Sequence, residues 1–179
     1  MVRTLFWAPI VTVLIGWGVF SSDVTALEWQ MLGLRVGISD QGNDEDFTQY
    51  EGFATWNLPW SWNLAPNWSL FTYLEANAGM LRGGGETAFV GSIGPGIYLT
   101  GLKNKISIFM GVNPTVISKH TFGDENLGGP IQFTSHIGID FNFLQHATFG
   151  YRLQHMSNFV FYDSNPGLNL HMLEIGFNF

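Results

Sequence analysis

The run Ile131-Gln-Phe-Thr-Ser-His-Ile-Gly-Ile-Asp-Phe-Asn-Phe143 decides how this chain folds. Its odd positions read Ile, Phe, Ser, Ile, Ile, Phe, Phe and its even positions Gln, Thr, His, Gly, Asp, Asn. Successive side chains of a β-strand point to opposite faces, so this period of two sorts an apolar face from a polar one, with Ser135 as the exception. Outward from it the pattern recurs. Ile106, Ile108, Met110, Val112, Pro114 and Val116 oppose Ser107, Phe109, Gly111, Asn113 and Thr115, and the stretch 89–99 behaves likewise. Pro95 and Pro114 have no N–H to give a ladder, which predicts β-bulges at those points.

Counted along the whole chain, the alternation predicts strands near 28–38, 47–58, 67–81, 86–100, 105–118, 130–143, 147–157 and 168–179. Eight strands make the smallest usual outer-membrane barrel. Composition agrees: charged residues are 12% of the chain, aromatics 16%, and there are 22 glycines. A soluble domain carries about twice that share of charge, and no run after the N-terminus is long enough for a spanning helix. The expected fold is all-β, an eight-stranded antiparallel transmembrane β-barrel. Polar or glycine-rich connections (40–46, 82–85, 119–129, 158–167) alternate with tight turns (101–104, 144–146), as between an outer face and a periplasmic one. The connection 59–66 is a long exception on the periplasmic side. Trp56, Trp60, Trp62 and Trp68 gather there, as an interfacial girdle would place them.

The N-terminus reads as an export signal: Arg3, an apolar run to about Phe20, then Val24-Thr25-Ala26 with small residues suited to cleavage. The expected division is a cleaved signal peptide at 1–26 and a barrel domain at 27–179. There is no cysteine, so disulfides hold nothing together. A net charge of −7 without a basic stripe argues against nucleic acid as a partner. No spacing suggests a metal or a nucleotide cofactor, and Gly83-Gly84-Gly85 lacks the helix a phosphate loop needs. Glu51, Glu75, Asp140, Arg152 and Glu174 fall on polar faces, which predicts a buried network centred on Arg152 with acid in excess.

In Tyr151-Arg-Leu-Gln-His-Met-Ser-Asn158, His155 and Ser157 share a face with Ala147, Phe149, Tyr151 and Leu153. A base and a nucleophile thus crown an apolar stripe. Polar groups facing lipid are costly without partners, so either they sit high enough to meet headgroups and water, or they perform chemistry on lipid. A lone His-x-Ser is a weak motif.

Together with Asn165-Pro-Gly167, that run resembles the lipid A 3-O-deacylases (PagL-type) of Gram-negative outer membranes, most closely over 147–179. The resemblance implies hydrolysis of the ester-linked 3-hydroxyacyl chain of lipid A, with Ser157 as nucleophile, His155 as general base and Asn158 supporting the loop that forms the oxyanion site. The family's glutamate, fourteen positions after the histidine, falls on Asn169, which can orient an imidazole but brings no charge. Asp163 is a substitute carboxylate or a plain turn residue, and His171 a contributor or an interface histidine. Arg82 and Lys119 are candidate contacts for lipid phosphates, or ordinary loop charges. The terminal Phe179 resembles the assembly signal of outer-membrane barrels. Expected partners are lipid A or lipopolysaccharide and outer-membrane lipid, and the sequence leaves open a monomer or a homodimer. The rival reading is a catalytically impaired member serving as a structural or adhesive barrel. An acyltransferase would need an apolar lumen, which the polar faces disfavour.

Overall fold

The computed structural model describes residues 27–40 and 43–179. The expected signal peptide, 1–26, lies outside them. Strands β1 (Glu28–Ser39), β2 (Thr48–Ala65), β3 (Trp68–Gly83), β4 (Glu86–Gly101), β5 (Ile106–Ile117), β8 (Ile131–Leu144), β9 (Ala147–Ser157) and β10 (Leu168–Asn178) form an antiparallel barrel. It closes where β1 pairs with β10, Met31 facing Asn178 and Ser39 facing Leu170. Two short strands, β6 (Thr121–Phe122) and β7 (Glu125–Asn126), make a separate hairpin inside the connection read as a loop.

Alternation decides which side chains meet lipid. Leu34 (67% exposed), Ile38 (61%) and Ile175 (57%) stand on the outer wall, as do apolar residues around the whole circumference. A water-exposed apolar band of that extent would be an aggregation surface, whereas a bilayer solvates it. No helix among the described residues is long and apolar enough to cross a membrane.

The lumen is packed, in three layers. The middle holds the ion network, and its most connected group is Arg35, with three carboxylate partners where Arg152 has two. Glu75 accepts from Arg35 (Nη2 to Oε1, 3.0 Å) and from Arg152 (Nη2 to Oε2, 2.7 Å), while Arg35 also pairs with Glu51 and Glu174. Arg35 supplies a second cation to an apparent acid excess, since β1 turns it inward between Leu34 and Val36. Gly150 leaves the space that Asp140 and Glu174 occupy, because a Cβ there would lie within 2.1 Å of the Asp140 carboxylate. The layer towards the periplasmic turns stacks Tyr73, Tyr98 and Phe109. The outer layer is apolar: Phe47, Leu81, Phe122, Met156, Leu168 and Leu170 are all buried there. The polar lumen expected from the sequence therefore holds in the middle and, through Thr100, Ser107 and Thr148, towards the periplasmic turns, while apolar side chains fill the outer end.

Two further expectations are corrected. β2 continues to Ala65, so the connection at 59–66 shrinks to a turn through Pro66 and Asn67, the latter at φ 66°. The register shifts between Asn57 and Ser61, and this bulge absorbs Pro59, which cannot donate to the ladder. At Pro95 and Pro114 no bulge forms. The β4–β5 pairing skips from Ser92–Thr115 to Gly96–Gly111 in unchanged register, so the missing donors interrupt the ladder without shifting it. At the same end, Trp29 packs on Trp56 (5.0 Å between centroids) and on Phe179 (5.8 Å), while Trp60 and Trp62 stay exposed, an aromatic girdle.

Candidate active site

The pairing of β8, β9 and β10 with the end of β1 lays four polar side chains in one row across the outer wall. Ser135 of β8 faces His155 of β9, and His155 faces Asn169 of β10. Asp40, one residue past β1, donates its backbone N–H to the Asn169 carbonyl at 3.2 Å. All four belong to the outward parity, and the side chains are joined. His155 Nδ1 lies 2.7 Å from Asn169 Oδ1, and Asn169 Nδ2 lies 3.2 Å from Asp40 Oδ2. With the amide oxygen accepting, Nδ1 carries the proton and Nε2 presents a lone pair. Ser157 stands two residues along β9 on the same face, half-buried and opposite Phe133. No hydrogen bond joins it to His155 among the described residues, which is common for a base and nucleophile awaiting substrate.

The row forms the upper end of an external groove of about 940 Å³ that continues over Val112 and Pro95 towards Trp60. Leu153, Ile137, Met110 and Ile97 form one bank. Gly167 closes the other side of the imidazole at a φ of 73° that favours glycine. Asn43 Nδ2 holds the Gly167 carbonyl at 2.8 Å, so the first loop braces the last.

The loop after Ser157 is built on Asn158. Its Nδ2 donates to the carbonyls of Leu127 (3.0 Å) and Ser164 (2.6 Å), its Oδ1 accepts from Val160 N–H, and its own N–H donates to Asn165 Oδ1 at 3.1 Å. Phe159 and Val160 follow in left-handed conformations (φ 55° and 65°), unusual for such residues. Their backbone is held by these bonds, and Phe159 and Phe161 rest on Phe133.

The family model for lipid A 3-O-deacylase (PagL) matches residues 48–178. The chain belongs to this family. It is 35% identical over 69 residues to the lipid A deacylase PagL of Bordetella bronchiseptica, an alignment covering 38% of this chain and 39% of that one. Its fold is like that in the crystal structure of the outer membrane enzyme PagL, with a TM-score of 0.71 at 24% identity, over 82% of this chain and 97% of that one. The barrel is thus that of a lipid A 3-O-deacylase family member.

Within this family barrel, the structure brings together His155, Ser157 and Asn169 on the outer wall. His171 turns to Tyr151, whose hydroxyl lies 2.6 Å from its Nδ1, one ladder pair below the site. Asp163 has no bond to His155 among the described residues, and Asp40 is the carboxylate in the row. Arg82 is not brought to the site: β3 lies four strands from β9 in either direction around the barrel, so Arg82 stands on the opposite wall. Lys119 is on the nearer side but is paired with Glu86 at 2.5 Å. Reading the sequence missed Asp40, and noted Ser135 and Gly167 without a place in the site. Barrel closure was the available signal, since pairing the first strand with the last puts the residue after β1 beside the start of β10.

Proposed function

We propose that this protein is a serine esterase that removes the ester-linked 3-hydroxyacyl chain from lipid A of lipopolysaccharide in the Gram-negative outer membrane. The observation that carries the reading is an imidazole on a lipid-facing wall. Its Nδ1 is fixed by Asn169 at 2.7 Å, the imidazole lines the head of an apolar groove, and Ser157 is two residues along the strand on the same face. A charged or polar group on that wall is expensive without a use. The mature protein is taken to be 27–179, after removal of 1–26.

The acyl chain lies in the external groove with its ester at the rim. His155 Nε2 takes the proton of the Ser157 hydroxyl as Oγ attacks the ester carbonyl. The tetrahedral oxyanion needs donors aimed at it. Asn158 is committed to building the loop, and the Phe159 N–H, which has no partner among the described residues, is the donor left beside the nucleophile. Collapse expels the sugar 3-oxygen, which takes the proton from His155. Water, deprotonated by the same imidazole, then attacks the acyl-serine, and the hydroxy acid leaves as Ser157 recovers its proton. Asn169 keeps the imidazole in the required tautomer throughout. No metal or cofactor enters these steps.

The test is mass spectrometry of lipid A from outer membranes carrying the full-length protein, Ser157→Ala or Ser135→Ala. Ser135 is included because it stands directly across the ladder from His155. Loss of one hydroxyacyl chain with wild type and Ser135→Ala, but not with Ser157→Ala, supports the reading. Equal lipid A in all three, with each barrel folded, would favour a structural barrel.

A further inference from the structure

We infer that Asp40 is the carboxylate of this site, a positioning residue that acts on His155 through Asn169. The inference rests on the esterase reading above and adds to it a residue from the opposite end of the chain. Two contacts carry it. Asp40 Oδ2 receives Asn169 Nδ2 at 3.2 Å, and Asn169 Oδ1 lies 2.7 Å from His155 Nδ1. The backbone bond from Asp40 N–H to the Asn169 carbonyl, also 3.2 Å, sets the two residues in register.

The chemistry follows from what each group can donate. An asparagine amide has an oxygen that accepts and an NH₂ that donates, and by itself it can present either to an imidazole. If the NH₂ faced His155, Nδ1 would have to accept, the proton would move to Nε2, and the base would have no lone pair for Ser157. An ionised carboxylate only accepts. Asp40 therefore holds the NH₂ on its own side, turns the amide oxygen to His155, and selects the tautomer in which Nε2 is the base. It also places a negative charge two hydrogen bonds from the ring, where a positive charge develops during proton transfer. The row of Asp40, Asn169 and His155 thus performs over three strands what one carboxylate touching the histidine would perform over two.

Full-length protein in detergent micelles, with purified lipid A as substrate, tests this. The variants are Asp40→Asn, Asp40→Leu, Asn169→Glu, Asp40→Leu/Asn169→Glu and Ser157→Ala, each checked for a folded barrel by circular dichroism. Asp40→Leu is expected to lower kcat about tenfold or more with KM within about twofold, because the wrong tautomer removes the base. Asp40→Asn keeps an acceptor for the Asn169 NH₂ and is expected to fall between. In the Asn169→Glu background the introduced carboxylate contacts His155 directly, so adding Asp40→Leu is expected to cause no further loss. Nitrogen-15 NMR of labelled imidazoles, with His155→Gln for assignment, is expected to show Nδ1–H in the wild type and a mixture in Asp40→Leu. Unchanged kcat in Asp40→Leu, or the same fractional loss in both backgrounds, overturns the inference. Activity surviving in Ser157→Ala, or a wild type with no activity, sinks the catalytic assignment instead. The NMR signal then decides Asp40 alone: a tautomer unmoved by Asp40→Leu refutes it, and a shifted one upholds it.

Discussion

Gly167 stands so close to His155 that a β-carbon on it would lie 2.9 Å from imidazole Cε1. Its φ of 73° adds backbone strain of roughly 1 kcal/mol or more for any residue with a side chain. Gly167→Ala therefore displaces the ring away from the loop while the barrel, held by strands elsewhere, persists. Misplacing a base by a fraction of an ångström to an ångström costs up to about a hundredfold. Steady-state kinetics on lipid A are expected to show kcat reduced about tenfold or more, with the circular dichroism spectrum unchanged.

Asn158 bonds four different backbone or side-chain groups around its loop, and it is fully buried. Asn158→Ala orphans the Ser164 carbonyl and the Val160 N–H, while the Leu127 carbonyl keeps its bond from Gln132 Nε2. Each unsatisfied group costs about 1–3 kcal/mol unless water reaches it, and local opening is the cheaper response. Limited proteolysis is expected to cut the variant between residues 159 and 166, with the strands protected, and activity is expected to fall with it.

Glu75 is the acceptor shared by two buried arginines. Glu75→Ala leaves Arg35 and Arg152 in the lumen with Glu174 as the one carboxylate they still share. Breaking a buried pair costs about 3–5 kcal/mol. Urea unfolding in lipid vesicles is expected to show a loss of that order. The remaining pairs to Glu51 and Glu174 limit the damage, so a loss below about 1 kcal/mol would show that the two arginines do not depend on Glu75.

Arg82 and Lys119 lie at the rim but not at the site. Arg82→Ala is expected to leave KM for phosphorylated lipid A unchanged, since Arg82 is on the far wall from Ser157. Lys119→Ala is expected to alter it at most a few-fold, because an exposed pair such as that with Glu86 is worth about 0.2–1 kcal/mol. A tenfold rise in KM for Arg82→Ala would mean that the substrate reaches around the barrel.

Much of the molecule was legible in its sequence because its solvent is a bilayer. Apolar residues must face out in every strand, so the period of two placed β9 to the residue and β8 to within one, and put His155 and Ser157 on the outer wall. The interior was less legible. Arg35 is flanked by Leu34 and Val36 in a short run, and nothing local shows that its guanidinium lies between Glu51, Glu75 and Glu174, which belong to three other strands. The hairpin of β6 and β7, with Phe122 packed edge-on to Phe47, likewise depends on a barrel mouth that exists only once the strands have closed.

By itself the sequence determined the number of barrel strands, the orientation of their faces, and the shared face of His155 and Ser157, since all three follow from alternation and short-range spacing. Only the tertiary structure decided what charges surround the histidine. Asp40 and Asn169 are 129 residues apart. They meet because the first strand hydrogen-bonds to the last, and that register is fixed by closing the whole sheet, not by any stretch of it.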